Sequence, residues 1–153
     1  MDAREPFPLP DASFDVVFSE HMLEHLTYAE GQRCLRECLR VLKRGGRIRI
    51  ATPSLERLAA LYERGELHER YVRWATETLE PEVDAPLPGV VLNNFFRSWG
   101  HRFIYDPQTL RHALESVGFV EVEEKPLGEL EGHLAEVPEL NEYETFVLEA
   151  RKP

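Results

Sequence analysis

The sequence predicts an α/β domain whose mixed sheet ends in an antiparallel hairpin. One observation is the short run FDVVF, from Phe14 to Phe18, whose unbroken apolar character indicates a strand buried on both faces, as in parallel sheets. A second is a helical pattern from about Thr27 to Leu42, followed by a glycine turn and the alternating strand RIRIATP. Strand, helix, turn and strand in this order form a βαβ unit.

The helix of this unit has an apolar face that includes Cys34 and Cys38. We expect both thiols to pack in the core, because cysteine is among the most buried residue types and free thiols suit a reducing compartment. Gly45 and Gly46 follow the basic last turn and are the expected helix stop.

The remaining elements follow in chain order. Ser54 is the expected N-cap of a helix that ends at Gly65, and a helical pattern continues from about Glu66 to Leu79. Three prolines between Pro81 and Pro88 interrupt this pattern. The next segment, up to Tyr105, is rich in aromatic and amide side chains.

The last third of the chain predicts a helix and two strands. Asp106 as N-cap and Pro107 in the first turn begin a helix that ends before Gly118. The two strands of the hairpin are predicted at 119–124 (FVEVEE) and 144–153 (ETFVLEARKP). A long acidic loop separates them.

Composition excludes several classes of function. The chain has 153 residues and a formal net charge of −10, and a chain this acidic lacks the basic surface that binds nucleic acid. No apolar run approaches the roughly 20 residues that span a bilayer, and no charged-then-apolar leader opens the sequence. We therefore expect a single cytoplasmic domain, 1–153, with no membrane partner.

Polar residues follow both strands of the βαβ unit. Ser19, Glu20 and His21 come after FDVVF, and Thr52-Pro53-Ser54 ends RIRIATP. Ligands of open α/β sheets bind beyond the carboxyl ends of the strands, so this edge is the place to look for a site. Thr52 to Ser54 can equally serve as a helix cap.

A metal site is one interpretation of this edge. His21, Glu24 and His25 spell H-x-x-E-H, a pattern in which two histidines on one helical face bind zinc beside a glutamate base, as in a zinc hydrolase. A third ligand would be needed, and the motif follows a strand instead of lying within a long helix. Histidines without a special role are a further alternative.

Three segments carry a family resemblance: FDVVFSEHMLEHL, RVLKRGGRIRIATP and WGHRFIYD. With their surroundings they resemble class I S-adenosylmethionine-dependent methyltransferases of the type 11 group, in particular a bacterial subfamily of predicted methyltransferases. The resemblance implies a Rossmann-like sheet, S-adenosylmethionine as cofactor, and methyl transfer to an unidentified acceptor. We expect a small-molecule acceptor, while a sugar, a lipid or a protein stays open. Arg44 stands where the family usually has proline.

The resemblance also implies site residues. Asp2 and Ala3 match the segment beside the adenine, and Ser19 matches the strand edge near the cofactor. His21 lies where a general base would act, since an imidazole can accept a proton at neutral pH, and Glu20 is the residue expected to orient it.

An acceptor pocket is expected in the aromatic and amide segment, because it combines stacking surfaces with hydrogen-bond donors. Its candidate residues are Asn93, Asn94, Arg97, Trp99, His101 and Tyr105. The alternative is a packed cover over the sheet whose polar groups are satisfied within the protein.

The family's glycine-rich cofactor loop has no counterpart among the nine glycines, and the sequence starts where the end of the third strand is expected. We therefore expect the first strands to be absent, the cofactor site to be incomplete, and FDVVF to be an uncovered sheet edge. Such an edge favours pairing with another chain, as a homodimer or with a complementing protein. A non-catalytic remnant that binds a partner or oligomerises is the alternative function.

Overall fold

The structure is a computed structural model that describes residues 1–63, 65–128 and 143–153. Its strands are β1 (Phe14–Glu20), β2 (Leu42–Pro53), β3 (Val120–Lys125) and β4 (Thr145–Arg151). Its α-helices are α1 (Tyr28–Val41), α2 (Leu55–Ala59), α3 (Glu66–Leu79), α4 (Pro88–Arg97) and α5 (Pro107–Val117). Short 3₁₀ turns lie at Leu23–His25 and Ala60–Tyr62.

The strands form one mixed sheet in the order β1-β2-β4-β3. β1 and β2 are parallel and are joined through α1, whereas β4 is antiparallel to both β2 and β3. The predicted α/β architecture with a closing antiparallel pair is therefore confirmed. Because β4 runs against β2, the start of β4 lies beside the end of β2, where Pro53 pairs with Thr145.

β1 is not buried on both faces, so that sequence prediction is wrong. Phe14 is exposed, and Val16, Val17 and Phe18 are only half-buried. The reason is position: β1 is an edge strand of the described sheet and pairs with β2 on one side only, which agrees with the uncovered edge also expected for FDVVF. Apolar composition predicted the strand, but burial depends on what lies beside it.

The glycine pair does not end α1, which corrects a second prediction. Leu42 is the C-cap of the helix, has extended backbone, and already pairs with Phe14 of β1. Gly45, at a φ of 73°, and Gly46 lie inside the range of β2, where the register to β1 shifts. The helix ends when its chain joins the sheet.

Local capping signals are confirmed at two helices. The Ser54 hydroxyl accepts from the amide of Arg57 at α2. Asp106 caps α5, which ends at left-handed Gly118. Thr27 and Glu30 also form a reciprocal capping box at the start of α1, which was not predicted from the sequence.

Helix α4 was not predicted, although Val91, Asn94 and Phe95 form its buried face. These positions have the i, i+3, i+4 spacing of a helix, but the middle one carries an amide instead of an apolar side chain. Because Asn94 is polar, the buried face of α4 does not show an apolar helical period in the sequence.

Two apolar clusters lie among the helices. The larger one packs α1 and α5 against the sheet, and it contains the free thiols Cys34 and Cys38, as expected. The smaller one joins α2, α3 and α4. The end of the sheet where β1 and β2 finish lies next to this second cluster, and the candidate site is between them.

The first thirteen residues are held against α1 by polar contacts. The Arg40 guanidinium donates to the carbonyls of Phe7 and Leu9 and pairs with Asp11, and the Glu37 carboxylate accepts from the Phe7 amide. The segment that precedes β1 is thus tied to the helix that follows it.

None of the helices in the described ranges is long and apolar enough to cross a membrane. The predicted acidic loop falls mostly at 129–142, outside the described residues.

Candidate functional site

A cavity of about 280 Å³ lies at the carboxyl ends of β1 and β2. The residues that follow β1 form its floor. Side chains from α3, from α4 and the segment after it, and from the residue before β4 form its walls. It is lined by His21, Glu24, His25, Tyr71, Trp74, Leu79, Phe95, Trp99, His101 and Glu144. Its location is the one that the sheet topology predicts for a ligand.

Glu24 is the central residue of the site and is fully buried. Its Oε2 accepts a hydrogen bond from the Thr52 hydroxyl at 3.0 Å, whereas its Oε1 is buried without a hydrogen-bond partner among the described residues. The backbone carbonyl of Glu24 accepts from the amides of Arg102 and Phe103. One residue therefore joins the ends of β1 and β2 to the segment after α4.

His21 lies beside this carboxylate. Its Nδ1 is 3.5 Å from Glu24 Oε1, and its Nε2 is 2.9 Å from the Thr145 hydroxyl. The backbone of His21 has a φ of 44°, in the left-handed region that costs a non-glycine residue about 1–3 kcal/mol. The surrounding contacts hold the imidazole in this position despite that cost.

His25 and His101 come from distant parts of the chain and meet at the cavity. Their rings pack edge to face with centroids 4.9 Å apart, and His25 Nε2 is 3.9 Å from Glu24 Oε1. His101 Nδ1 lies 2.8 Å from the carbonyl of Phe95, so Nδ1 carries a proton and donates. Burial lowers the pKa of His101, which favours a neutral ring with a free lone pair on Nε2.

Aromatic side chains form the open wall of the cavity. Trp99 packs edge to face on Phe95, and Trp74 packs on Tyr71. About half of each indole is exposed, at 53% for Trp74 and 50% for Trp99. Exposed rings around a polar floor give stacking surface for an organic ligand.

Glu144 and Tyr71 belong to the site although the sequence did not suggest them. Burial raises the pKa of the Glu144 carboxyl, and burial beside this carboxylate raises the pKa of Tyr71. The signal that was available is topological: Glu144 immediately precedes β4, and an antiparallel β4 begins where β2 ends. Glu144 lies at the cavity only because β4 pairs with β2, and this strand order was not predicted from the sequence.

The predicted acceptor residues are only partly brought together. Trp99 and His101 line the cavity, but Asn94 is buried in α4 and donates to Glu80. Arg97 is exposed, and Tyr105 is fully buried in the main core. Asn93 is also exposed and donates to the carbonyl of Gly89.

The predicted cofactor residues lie along the N-terminal segment and β1. Asp2 is exposed and forms a two-pronged ion pair with Arg4, whose hydrogen bonds lower the pKa of Asp2 to about 2. Ala3 packs against the main core. Ser19 has a buried hydroxyl without a hydrogen-bond partner in the described ranges, and Glu20 ends β1.

The carboxylate that faces the His21 ring is that of Glu24. The H-x-x-E-H pattern is not presented by a regular helix, because only Leu23–His25 form a 3₁₀ turn and His21 has left-handed backbone. The two histidines therefore do not share a helical face, as a zinc hydrolase of that pattern requires.

Comparison with known proteins points to one family. Residues 1–50 match the family model described as a methyltransferase domain. A protein of Mycobacterium tuberculosis named as a probable S-adenosylmethionine-dependent methyltransferase is 47% identical over 47 residues, which are 31% of this chain and 16% of that protein. The first third of this chain is thus similar to methyltransferase domains, and it spans only a small part of that relative's length.

Solved methyltransferases show the same fold. The SAM-dependent methyltransferase of Archaeoglobus fulgidus superposes with a TM-score of 0.61 and 21% identity over 99% of this chain and 66% of its own. One of Thermotoga maritima gives 0.57 and 19%, over 99% of this chain and 61% of its own. The Rossmann-like fold of class I methyltransferases is thus confirmed, and the chain spans about two thirds or less of these structures.

The first prediction concerns the hydrogen bond that holds Glu24. Thr52→Val keeps the side-chain shape but removes the hydroxyl, which leaves Oε2 of a buried carboxylate unsatisfied. We expect the free energy of unfolding to fall by about 1–3 kcal/mol, measured by urea denaturation followed by tryptophan fluorescence. The matched control is Thr109→Val in α5, whose hydroxyl makes no hydrogen bond with the described residues. Equal losses in both variants would contradict the account.

Proposed function

We propose that the chain is part of an S-adenosylmethionine-dependent methyltransferase and that the cavity around Glu24 receives the methyl acceptor. The observation that carries the proposal is the His21–Glu24 pair on the floor of an aromatic cavity, at the sheet edge where this fold places ligands. The match of residues 1–50 to methyltransferase domains supports it.

The residues at the start of the chain fit part of a cofactor site. The Ser19 hydroxyl is a buried polar atom without a described partner, and it lies on β1 just before His21. Ser19 would hold the cofactor beside the acceptor, with Asp2 and Ala3 beside the adenine. S-adenosylmethionine supplies the methyl group from a sulfonium when it is bound.

His21 is the proposed general base. With a proton on Nδ1 facing Glu24, the Nε2 atom is the acceptor that now contacts Thr145. An acceptor hydroxyl or amine that takes the place of the Thr145 hydroxyl gives its proton to Nε2 as the methyl group is transferred. Glu24 then stabilises the charged imidazolium, and Glu20 stays a predicted orienting residue at the end of β1.

The proposed acceptor is a small molecule with an apolar or flat part. Trp74 and Trp99 supply stacking surface, and Tyr71 and His101 supply polar atoms at the cavity wall. Asn94, Arg97 and Tyr105 remain predicted acceptor residues that do not line the cavity in this conformation. Binding would orient the acceptor against His21, which is the main task of a methyltransferase.

The edge of β1 is the proposed contact with another strand, from a second copy or a complementing protein. Phe14 is exposed there and Val16, Val17 and Phe18 are half-buried, so pairing would bury apolar surface and satisfy backbone groups. The same edge favours the alternative function, a partner-binding module without catalysis. We also propose a cytoplasmic location, consistent with the two free thiols.

The second prediction separates these two functions. Because the cofactor site of a single chain is expected to be incomplete, titration calorimetry of the 153-residue chain with S-adenosylhomocysteine should show saturable binding only in an assembled form, near one molecule per assembled pair. Light scattering on the same sample should give a dimer or larger species. A folded monomer that binds no cofactor would contradict the proposal for this chain. A folded dimer without binding would favour the partner-binding module.

The third prediction concerns the base. In an active preparation, His21→Ala should lower the methyl-transfer rate by about 10²–10⁴-fold, since it removes the proton acceptor. The matched control is His112→Ala, which removes an exposed imidazole from α5 and should leave the rate unchanged. Unchanged turnover in His21→Ala would rule out this role.

A further inference from the structure

Three potential metal ligands converge in the cavity from two distant segments. A carboxylate oxygen of Glu24 and one ring nitrogen each of His25 and His101 all lie within 4.8 Å of one another. Glu24 and His25 belong to the turn after β1, whereas His101 follows α4. The amides of Arg102 and Phe103 donate to the carbonyl of Glu24 and keep the two segments together.

Two of these three side chains, Glu24 and His101, make outer hydrogen bonds of the kind that ligands make in metal sites. His101 donates its Nδ1 proton to the carbonyl of Phe95, which fixes the ring and leaves Nε2 as a lone pair. Glu24 Oε2 accepts from Thr52, which fixes the carboxylate and leaves Oε1 for another contact. Metal-bound histidines almost always donate the second nitrogen in this way.

The Oε1 atom of Glu24 is a second observation that points to a cation at this position. It is fully buried, and no described residue makes a hydrogen bond to it. Buried carboxylate oxygens are stabilised by pairing or by metal coordination, because desolvation without a partner is costly. Ring nitrogens of His21 and His25 lie 3.5 and 3.9 Å from it, but neither makes a hydrogen bond to it.

We propose that Glu24, His25 and His101 bind a divalent transition-metal ion of the zinc type. Two imidazoles and one carboxylate are a common catalytic zinc set, whereas magnesium and calcium prefer sites made of oxygen ligands. Three protein ligands leave a fourth position, which faces the cavity. An oxygen or nitrogen atom of the acceptor can occupy it.

Binding requires a modest closure. Tetrahedral ligands of zinc lie about 3.4 Å apart, so the 4.8 Å set must contract. Glu24 and His101 are held by their outer hydrogen bonds, but the His25 side chain is 38% exposed and can rotate towards them. This set differs from the H-x-x-E-H interpretation, because Glu24 is a ligand and His101 replaces His21.

The inference does not rest on the proposed function, since metal uptake is measured without cofactor or acceptor. The full chain is titrated with Zn²⁺ in competition with a chromophoric chelator, and we expect one ion per chain. Glu24→Gln and His101→Asn should each weaken Zn²⁺ binding by more than about tenfold. The asparagine amide retains a donor for the Phe95 carbonyl but removes the ligand nitrogen.

The matched control is His112→Asn, the same substitution on the exposed face of α5, which should bind Zn²⁺ like the wild type. Far-UV circular dichroism checks folding, so that either ligand variant alone tests the site. With Co²⁺ as the probe, ligand-field bands without thiolate charge-transfer absorption are expected, which separates this site from Cys34 and Cys38.

Three results would overturn the proposal: no stoichiometric uptake, equal affinity in the ligand variants and the wild type, or thiolate absorption with Co²⁺. The last would place the ion at the cysteines of α1.

Discussion

The buried carboxylate of Glu24 is the interaction on which the candidate site depends. A charged group without water is tolerated only where donors or cations surround it. Here Thr52 supplies one donor from the end of β2, and imidazoles approach from the turn after β1 and from the segment after α4. The carbonyl of the same residue holds that segment in place. The side-chain carboxylate and the backbone carbonyl of Glu24 therefore both hold the cavity floor in place.

The two proposals use the same carboxylate in compatible ways. As the partner of His21, Glu24 stabilises an imidazolium that forms during proton transfer. As a metal ligand with His25 and His101, it brings a cation next to the acceptor, where a hydroxyl loses its proton more easily. The Nδ1 atom of His21 lies 3.5 Å from the same Oε1 atom, so both groups contact one end of the carboxylate. A site with both groups would position and activate a polar acceptor.

Local signals predicted most of the fold, because capping and apolar period act within a few residues. The caps at Ser54 and Asp106 and the stop at Gly118 are confirmed. Properties that depend on distant parts of the chain were not predictable. Glu144 enters the site only because β4 runs antiparallel to β2. His101 was predicted to line the methyl-acceptor pocket, but its contact with His25 depends on the tertiary structure and could not be predicted.

The most direct test of the central claim is a comparison of histidine imidazole NMR spectra, with isotope-labelled histidine, between the wild type and Glu24→Gln. If Glu24 organises the site, the ring resonances of His21, His25 and His101 all shift, whereas those of His112 on α5 stay in place. Three unshifted resonances would contradict the account, because the imidazoles would then hold their positions and protons without the carboxylate.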